Sequence, residues 1–282
     1  MKKKILTLSL AACLAATAII GGTMAYFTDS DVATNVMAVG NVQIVQNEQQ
    51  RIIDAENDDL SHDVAQVTDD GLETFEDGKK LFPVTKDTAT GYDTPVATMY
   101  KNYSNALDDV SWKNQSMFDT KYNVVDKIVT ISNTGTEDAY VRTLLAFEIV
   151  YNEEGENVID DYIMTVHNYN IDYIMNDAGD DAEIFTINGV DYCVGTVTYT
   201  DALKAGYTTA PSLKQFYLKN TAGNEFYSYV GDEYTILALS QAVQTEGFDD
   251  AATALNTAFG DPKTVENKTV VEWFANVPAA LN

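Results

Sequence analysis

Residues 127–132 alternate strictly, with Ile128, Thr130 and Ser132 opposite Val129 and Ile131, and a longer apolar run over 139–151 follows the turn residues Asn133, Thr134, Gly135 and Thr136. A period of two belongs to extended backbone, whose successive side chains point to opposite faces, and it conflicts with the 3.6-residue repeat of a helix. The longer run sets Val141, Thr143, Leu145, Phe147, Ile149 and Tyr151 on one face and Arg142, Ala146 and Glu148 on the other. A strand with so continuous an apolar face has to cross the interior of a sandwich. Residues 184–187 and 190–199 flank Asn188 and Gly189, and because Asn-Gly accepts the positive φ of a type I′ turn, they predict a hairpin. The β pattern continues over 215–218, 225–230 and 234–243.

Elsewhere the period changes. Residues 249–259 carry Ala251, Leu255, Ala258 and Phe259 at helical spacing, with Asp249 or Asp250 placed to cap and Gly260 and Pro262 placed to stop the turn. Residues 158–175 fit either a helix or two short strands, and 269–274 read as a last strand with Trp273 as a core anchor. At the other end, 36–46 read as one strand, with Val42 and Ile44 on one face and Asn41 and Gln43 on the other. Between 47 and 122 the alternation degrades into acidic clusters (54–59 and 69–71) punctuated by Pro83 and Pro95, an irregular insertion in a single domain over 40–282. The expected fold class is mainly β: an antiparallel β-sandwich with a few short helices.

The chain can build that core. Of its 282 residues 45% are hydrophobic, with 17 Tyr and 11 Phe, which excludes disorder for most of its length. Acidic residues outnumber basic ones 43 to 17, a formal charge of -26, so nucleic acid is not an expected partner and anionic membrane surfaces are disfavoured. Two cysteines, Cys13 and Cys193, exclude a disulfide scaffold.

The amino terminus is an export signal by its pattern. Lys2, Lys3 and Lys4 precede an apolar run over 5–20 and then Gly21 and Gly22, with Thr23 and Ala25 as small residues before a cleavage point at Ala25 or Tyr26. The run is short for a bilayer span, so residues 1–25 are expected to be removed and stable membrane insertion is not expected. Cys13 lies inside the apolar run, with too little before it for a lipoprotein site. Neither a sortase-type motif nor an apolar tail closes the sequence, so wall attachment is not expected. The expected location is secreted, in an extracellular matrix or at the cell surface.

Beyond the junction, Gly21-Gly22-Thr23-Met24-Ala25-Tyr26-Phe27-Thr28-Asp29-Ser30 followed by Ala38-Val39-Gly40-Asn41-Val42-Gln43-Ile44 resembles the start of the TasA/camelysin family of bacterial exported proteins. A second stretch, Asp126-Lys127-Ile128-Val129-Thr130-Ile131-Ser132-Asn133-Thr134-Gly135 running into Ala139-Tyr140-Val141-Arg142, is similar to that family's strand, Asn-x-Gly turn and strand, which makes Asn133, Gly135, Tyr140 and Arg142 candidate structural motif residues. The resemblance covers about a fifth of the chain. It implies a jelly-roll sandwich, processing by a SipW-type signal peptidase, and assembly with further copies of itself into head-to-tail biofilm-matrix fibres. In that assembly the mature segment 26–39 would be donated as a strand, with Phe27, Val32, Val36 and Val39 as anchors. Read from the residues alone, the same segment is equally a disordered terminus or the domain's own first strand. Some family members are described instead as cell-surface metalloproteases, and a monomeric adhesion or binding module is a third possibility.

Chemistry-bearing motifs are sparse. His62 and His167 are the two histidines and neither lies in His-Glu-x-x-His, so no catalytic residue or metal ligand is assigned. Nucleophile-elbow, phosphate-loop and dinucleotide patterns do not occur, and no cofactor is expected. The cluster at 176–181 packs carboxylates around Gly179 without the glutamate of a calcium loop and reads as a solvated turn. Cys193 reads as a buried small hydrophobe. Arg51 and Arg142 are the only arginines, and Arg142 is expected to pair with a carboxylate while its stem covers apolar surface.

Overall fold

Thirteen strands and four helices are described in a computed structural model that covers residues 36–51, 72–76, 79, 81–84, 100–103, 115–118, 123–167, 170–175, 182–230 and 234–275. In order they are β1 (Val36–Val39), β2 (Ile44–Arg51), β3 (Leu72–Thr74), β4 (Tyr100–Tyr103), β5 (Gln115–Phe118), β6 (Val125–Asn133), β7 (Ala139–Glu148), α1 (Ile159–Tyr162), β8 (Ile163–Val166), β9 (Asp172–Tyr173), β10 (Ile184–Ile187), β11 (Val190–Thr198), β12 (Leu213–Leu218), α2 (Asn224–Val230), β13 (Ile236–Gln244), α3 (Ala251–Phe259) and α4 (Asn267–Phe274). One sheet runs β1-β13-β7-β11-β10 with β9 also on β11, a second runs β3-β2-β6-β12-β8, and β4 pairs with β5. The protein is a mainly β sandwich, as its alternation requires.

Between the sheets, Val129, Leu213, Phe216 and Leu218 meet Leu145, Phe147, Cys193 and Ala238, and Val42, Ile44 and Ile131 meet Val141, Val197 and Ala242. The first sheet is buried on its other face as well, where Leu144, Ala146, Phe185, Val194 and Leu239 receive Val270, Trp273 and Phe274 of α4. Both faces of β7 are therefore core, although Arg142, Ala146 and Glu148 share its second face. Removing a side chain such as Phe274 from water stabilises the fold by about 1.5–3 kcal/mol.

The hairpin forms as the sequence requires, with Asn188 at φ 52° and Gly189 at φ 88° between β10 and β11. So does the capped helix: the Asp250 carboxylate accepts from Thr253 N at 2.8 Å and Gly260, at φ 91°, ends α3. The ambiguous stretch resolves into a single helical turn, α1, and the two short strands β8 and β9.

Four expectations are corrected. Residues 225–230 lie in helix α2, because Phe226, Tyr229 and Val230 at i, i+3 and i+4 all pack on the intersheet core. Residues 269–274 belong to helix α4 for the same reason, with Val270, Trp273 and Phe274 on one face; the adjacent Val270 and Val271 imitate a strand. Trp273 is the core anchor expected, at 8% exposure. The single strand over 36–46 is two strands in different sheets, broken where Gly40 takes φ 89°. β2 itself runs on to Arg51, into the stretch where the alternation was read as degraded. Finally, the sandwich is not wholly antiparallel: β1 runs parallel to β13, pairing Val36 with Ser240 and Val39 with Val243.

Candidate assembly edge

β1 ends the first sheet, and its four residues have two destinations. Val36 and Ala38 pack into the intersheet core beside Val42 and Ile131, whereas Met37 joins the cluster under α4 and Val39 the cluster under α3. Period two thus seats a short terminal strand between two apolar layers, each residue half-buried. Gly40 then turns the chain across to the second sheet. A Cβ there would lie 2.6 Å from Gln244 Oε1, and its positive φ disfavours any side chain, so the crossover requires glycine.

The next residues are held by the turn between β6 and β7. Gln43 O accepts from Thr134 N at 2.9 Å and from Gly135 N at 3.1 Å. Asn133, 1% exposed, organises the turn: its Nδ2 donates to Glu137 O at 2.8 Å and to Leu203 O at 3.0 Å, and its Oδ1 accepts from Gly135 N at 3.0 Å. A Cβ on Gly135 would stand 3.0 Å from Gln43 N, so this position admits close approach of the two backbones. Motif residues Asn133 and Gly135 therefore fix the segment that follows β1.

Tyr140 and Arg142 serve the same edge from β7. Tyr140 pairs with Val243 and packs with Ala251 and Leu255 of α3. Arg142 is 2% exposed, and its direct acceptors differ from the carboxylate expected. Nε donates to Gln241 Oε1 at 2.6 Å, Nη1 to Asn256 Oδ1 at 2.9 Å and Nη2 to Gly260 O at 3.0 Å. Neutral oxygens, one of them a carbonyl at the end of α3, replace the expected carboxylate because the helix C-terminus already presents partial negative charge. Phe259 and Trp273 rings lie 6.0 and 5.8 Å from the guanidinium carbon. Burial lowers the Arg142 pKa to about 10, against the field of Asp261, and the side chain remains charged at neutral pH.

Val36 and Val39 of the expected anchor set are thus brought to this edge, where they pair with β13 of their own chain. Phe27, Val32 and the cleavage residues Ala25 and Tyr26 lie outside the described residues, as do Cys13, His62 and the acidic stretches 54–59 and 176–181. His167 is half-buried after β8. Among the described residues no three His, Cys, Asp or Glu side chains are grouped to hold a metal ion, so these residues do not fit a zinc site. No described helix is long and apolar enough to cross a membrane.

Buried polar groups on the strands are what alternation could not find. Asp126 accepts a fork from Arg51 (Nε at 2.6 Å, Nη2 at 2.8 Å) and a bond from Gln215 Nε2 at 2.8 Å. Lys127 Nζ lies 2.5 Å from Glu48 Oε2. Exchange of such pairs for apolar residues is nearly neutral in stability, so hydrophobic patterning carries no trace of them.

Cys193 is buried, and desolvation pushes its thiol from 9.0 up to about 12; Tyr192 is pushed from 10.0 to about 12, also chiefly by burial. Tyr234, whose hydroxyl is buried without a hydrogen-bond partner, is raised further. These groups fold in their neutral forms, so the stability they contribute is complete below their ordinary values and is lost as pH rises from about 9 towards 12. Thermal melts should show Tm falling through that window, and a Tm unchanged from pH 8 to pH 11 would contradict the burial of these groups.

Residues 1–64 match the family model described as Camelysin metallo-endopeptidase, which is the family that the signal junction resembles. No curated protein and no solved structure matches the chain.

Proposed function

We propose, from the match of residues 1–64 to the camelysin family model and the resemblance to the TasA/camelysin family, that the chain is a secreted subunit of extracellular biofilm-matrix fibres. On this reading it is released by a SipW-type peptidase at Ala25 or Tyr26 and polymerises by donating residues 26–39 to a neighbouring copy. The observation that carries it is β1: the segment freed by cleavage leads directly into a short edge strand lying between two apolar layers. Contacts that a subunit makes with its own terminus can be made equally by the terminus of the next subunit, with Gly40 as the hinge. Head-to-tail exchange that does not close yields a filament. Jelly-roll connectivity and the absence of enzymatic activity belong to the same proposal.

Protein beginning at Tyr26 should form filaments visible by electron microscopy and elute in the void volume. Protein beginning at Gly40 should remain folded by circular dichroism and elute as a monomer. Filaments from both would overturn strand donation, and monomers from both would transfer the reading to an adhesion module. The matched family's description favours one further reading, a cell-surface metallo-endopeptidase. Stoichiometric zinc with chelator-sensitive peptide cleavage by the full mature chain would establish it.

A further inference from the structure

Glu48 stands between an amine and an amide. Its Oε2 accepts from Lys127 Nζ at 2.5 Å and its Oε1 from Gln46 Nε2 at 2.8 Å. The same Gln46 amide is held at both of its ends from the opposite sheet: Oε1 accepts from Ser240 Oγ at 2.8 Å, and Nε2 donates to Ala238 O at 3.1 Å. Gln46 is 1% exposed and Ser240 is fully buried; the Lys127 side chain is 6% exposed beneath the Phe75 ring, whose centroid lies 4.3 Å from Nζ. Gln46 and Glu48 share the interior face of β2, and Lys127 comes from the adjacent β6, where Glu48 pairs with Val129.

We propose that Lys127 and Gln46 become joined by an intramolecular isopeptide bond, with Glu48 carrying the proton and Ser240 stabilising the oxyanion. With the Lys127 side chain 6% and the Glu48 side chain 19% exposed, transfer of the Lys127 proton to Glu48 removes two largely enclosed charges at once and leaves a nucleophilic amine. Nζ attacks Gln46 Cδ, and negative charge developing on Oε1 is met by the Ser240 hydroxyl. Glu48 then gives its proton to Nε2 as the Cδ–Nε2 bond breaks, and takes the second proton from Nζ and passes it to the departing ammonia, which leaves as ammonium while Glu48 ends ionised. One N–C bond forms, one breaks and one ammonia leaves, so neither oxidant nor cofactor is consumed. The product links β2 to β6 and closes a loop over residues 47–126, constraining the unfolded chain as a disulfide would. A protein whose mature chain has a single cysteine has no disulfide of its own for that purpose.

The experiment is the intact mass of the mature wild-type chain in denaturant, followed by fragmentation of its proteolytic peptides. The expected mass is below the sequence mass by one ammonia, with a branched peptide joining Gln46 to Lys127. Lys127→Arg should restore the full mass, Glu48→Ala should restore it too, and Ser240→Ala should slow the appearance of the lighter species. A folded wild-type chain of full sequence mass would overturn the proposal, as would loss of one water, which places the bond at Glu48. An ammonia deficit that persists in Lys127→Arg would also overturn it, by assigning the loss to another amide. Should a variant fail to fold, the branched wild-type peptide decides the matter alone.

Discussion

Replacing Arg142 with alanine is expected to lower stability by about 3–5 kcal/mol, the range for breaking a buried charged contact. The guanidinium reaches three acceptors on two segments, Gln241 of β13 and, in α3, Asn256 and the Gly260 carbonyl at its end, and all three lose a charge-assisted bond together. Gly260 O has no helical continuation to turn to, since it lies past the last turn of α3. Arg142→Lys should recover part of the loss, about 1–2 kcal/mol, because an ammonium keeps the charge opposite the helix end but cannot span the planar fork. Urea unfolding curves of the three proteins would check the ranking. Equal stability of Arg142→Ala and wild type would mean that the layer of α3 and α4 does not depend on this contact.

The second large effect falls on Asn133, where alanine should cost about 2–4 kcal/mol. Two carbonyls, Glu137 O and the buried Leu203 O, lose the same amide donor, and Gly135 N keeps its alternative bond to Gln43 O. Aspartate is the revealing substitution. It preserves shape and the acceptor for Gly135 N but turns an oxygen towards two carbonyl oxygens, so Asn133→Asp should be at least as destabilised as Asn133→Ala at neutral pH. If aspartate were the milder change, Nδ2 would not be the group that ties this turn to residues 203–207. Denaturant midpoints of the two variants decide between these.

Alternation was enough to identify β6, β7, β12, β13 and the β10–β11 hairpin, because each is at least half-buried and its turn residues allow one geometry. It failed where two apolar residues stand side by side on a short helix, as with Phe226 and Tyr227 or Val270 and Val271, since a segment of seven or eight residues fits both periods. The sheet edge at β1 is half legible. Gly40, Asn133 and Gly135 are residue types whose backbone demands show in the sequence, but the parallel partner of β1 lies at residues 240–243 and no local pattern names a partner so distant. The strand position of Arg142 suggests a structural role, yet two of its three acceptors belong to a helix that packs over the sheet only in three dimensions. Nothing in the sequence singles out Glu48, Gln46 and Lys127, because binary patterning does not anticipate polar residues on an interior face, where here their mutual hydrogen bonds satisfy them.

The pairing of β1 with β13 also sets an order of events. In a chain made from its amino terminus, residues 36–39 are synthesised about two hundred residues before their partner at 240–243. Throughout that interval the terminal strand has no intramolecular mate, and closing so long a loop is the slow kind of step in folding. The strand that waits longest for its own slot is therefore the one that a neighbour's finished slot can capture, on rate before it competes on affinity.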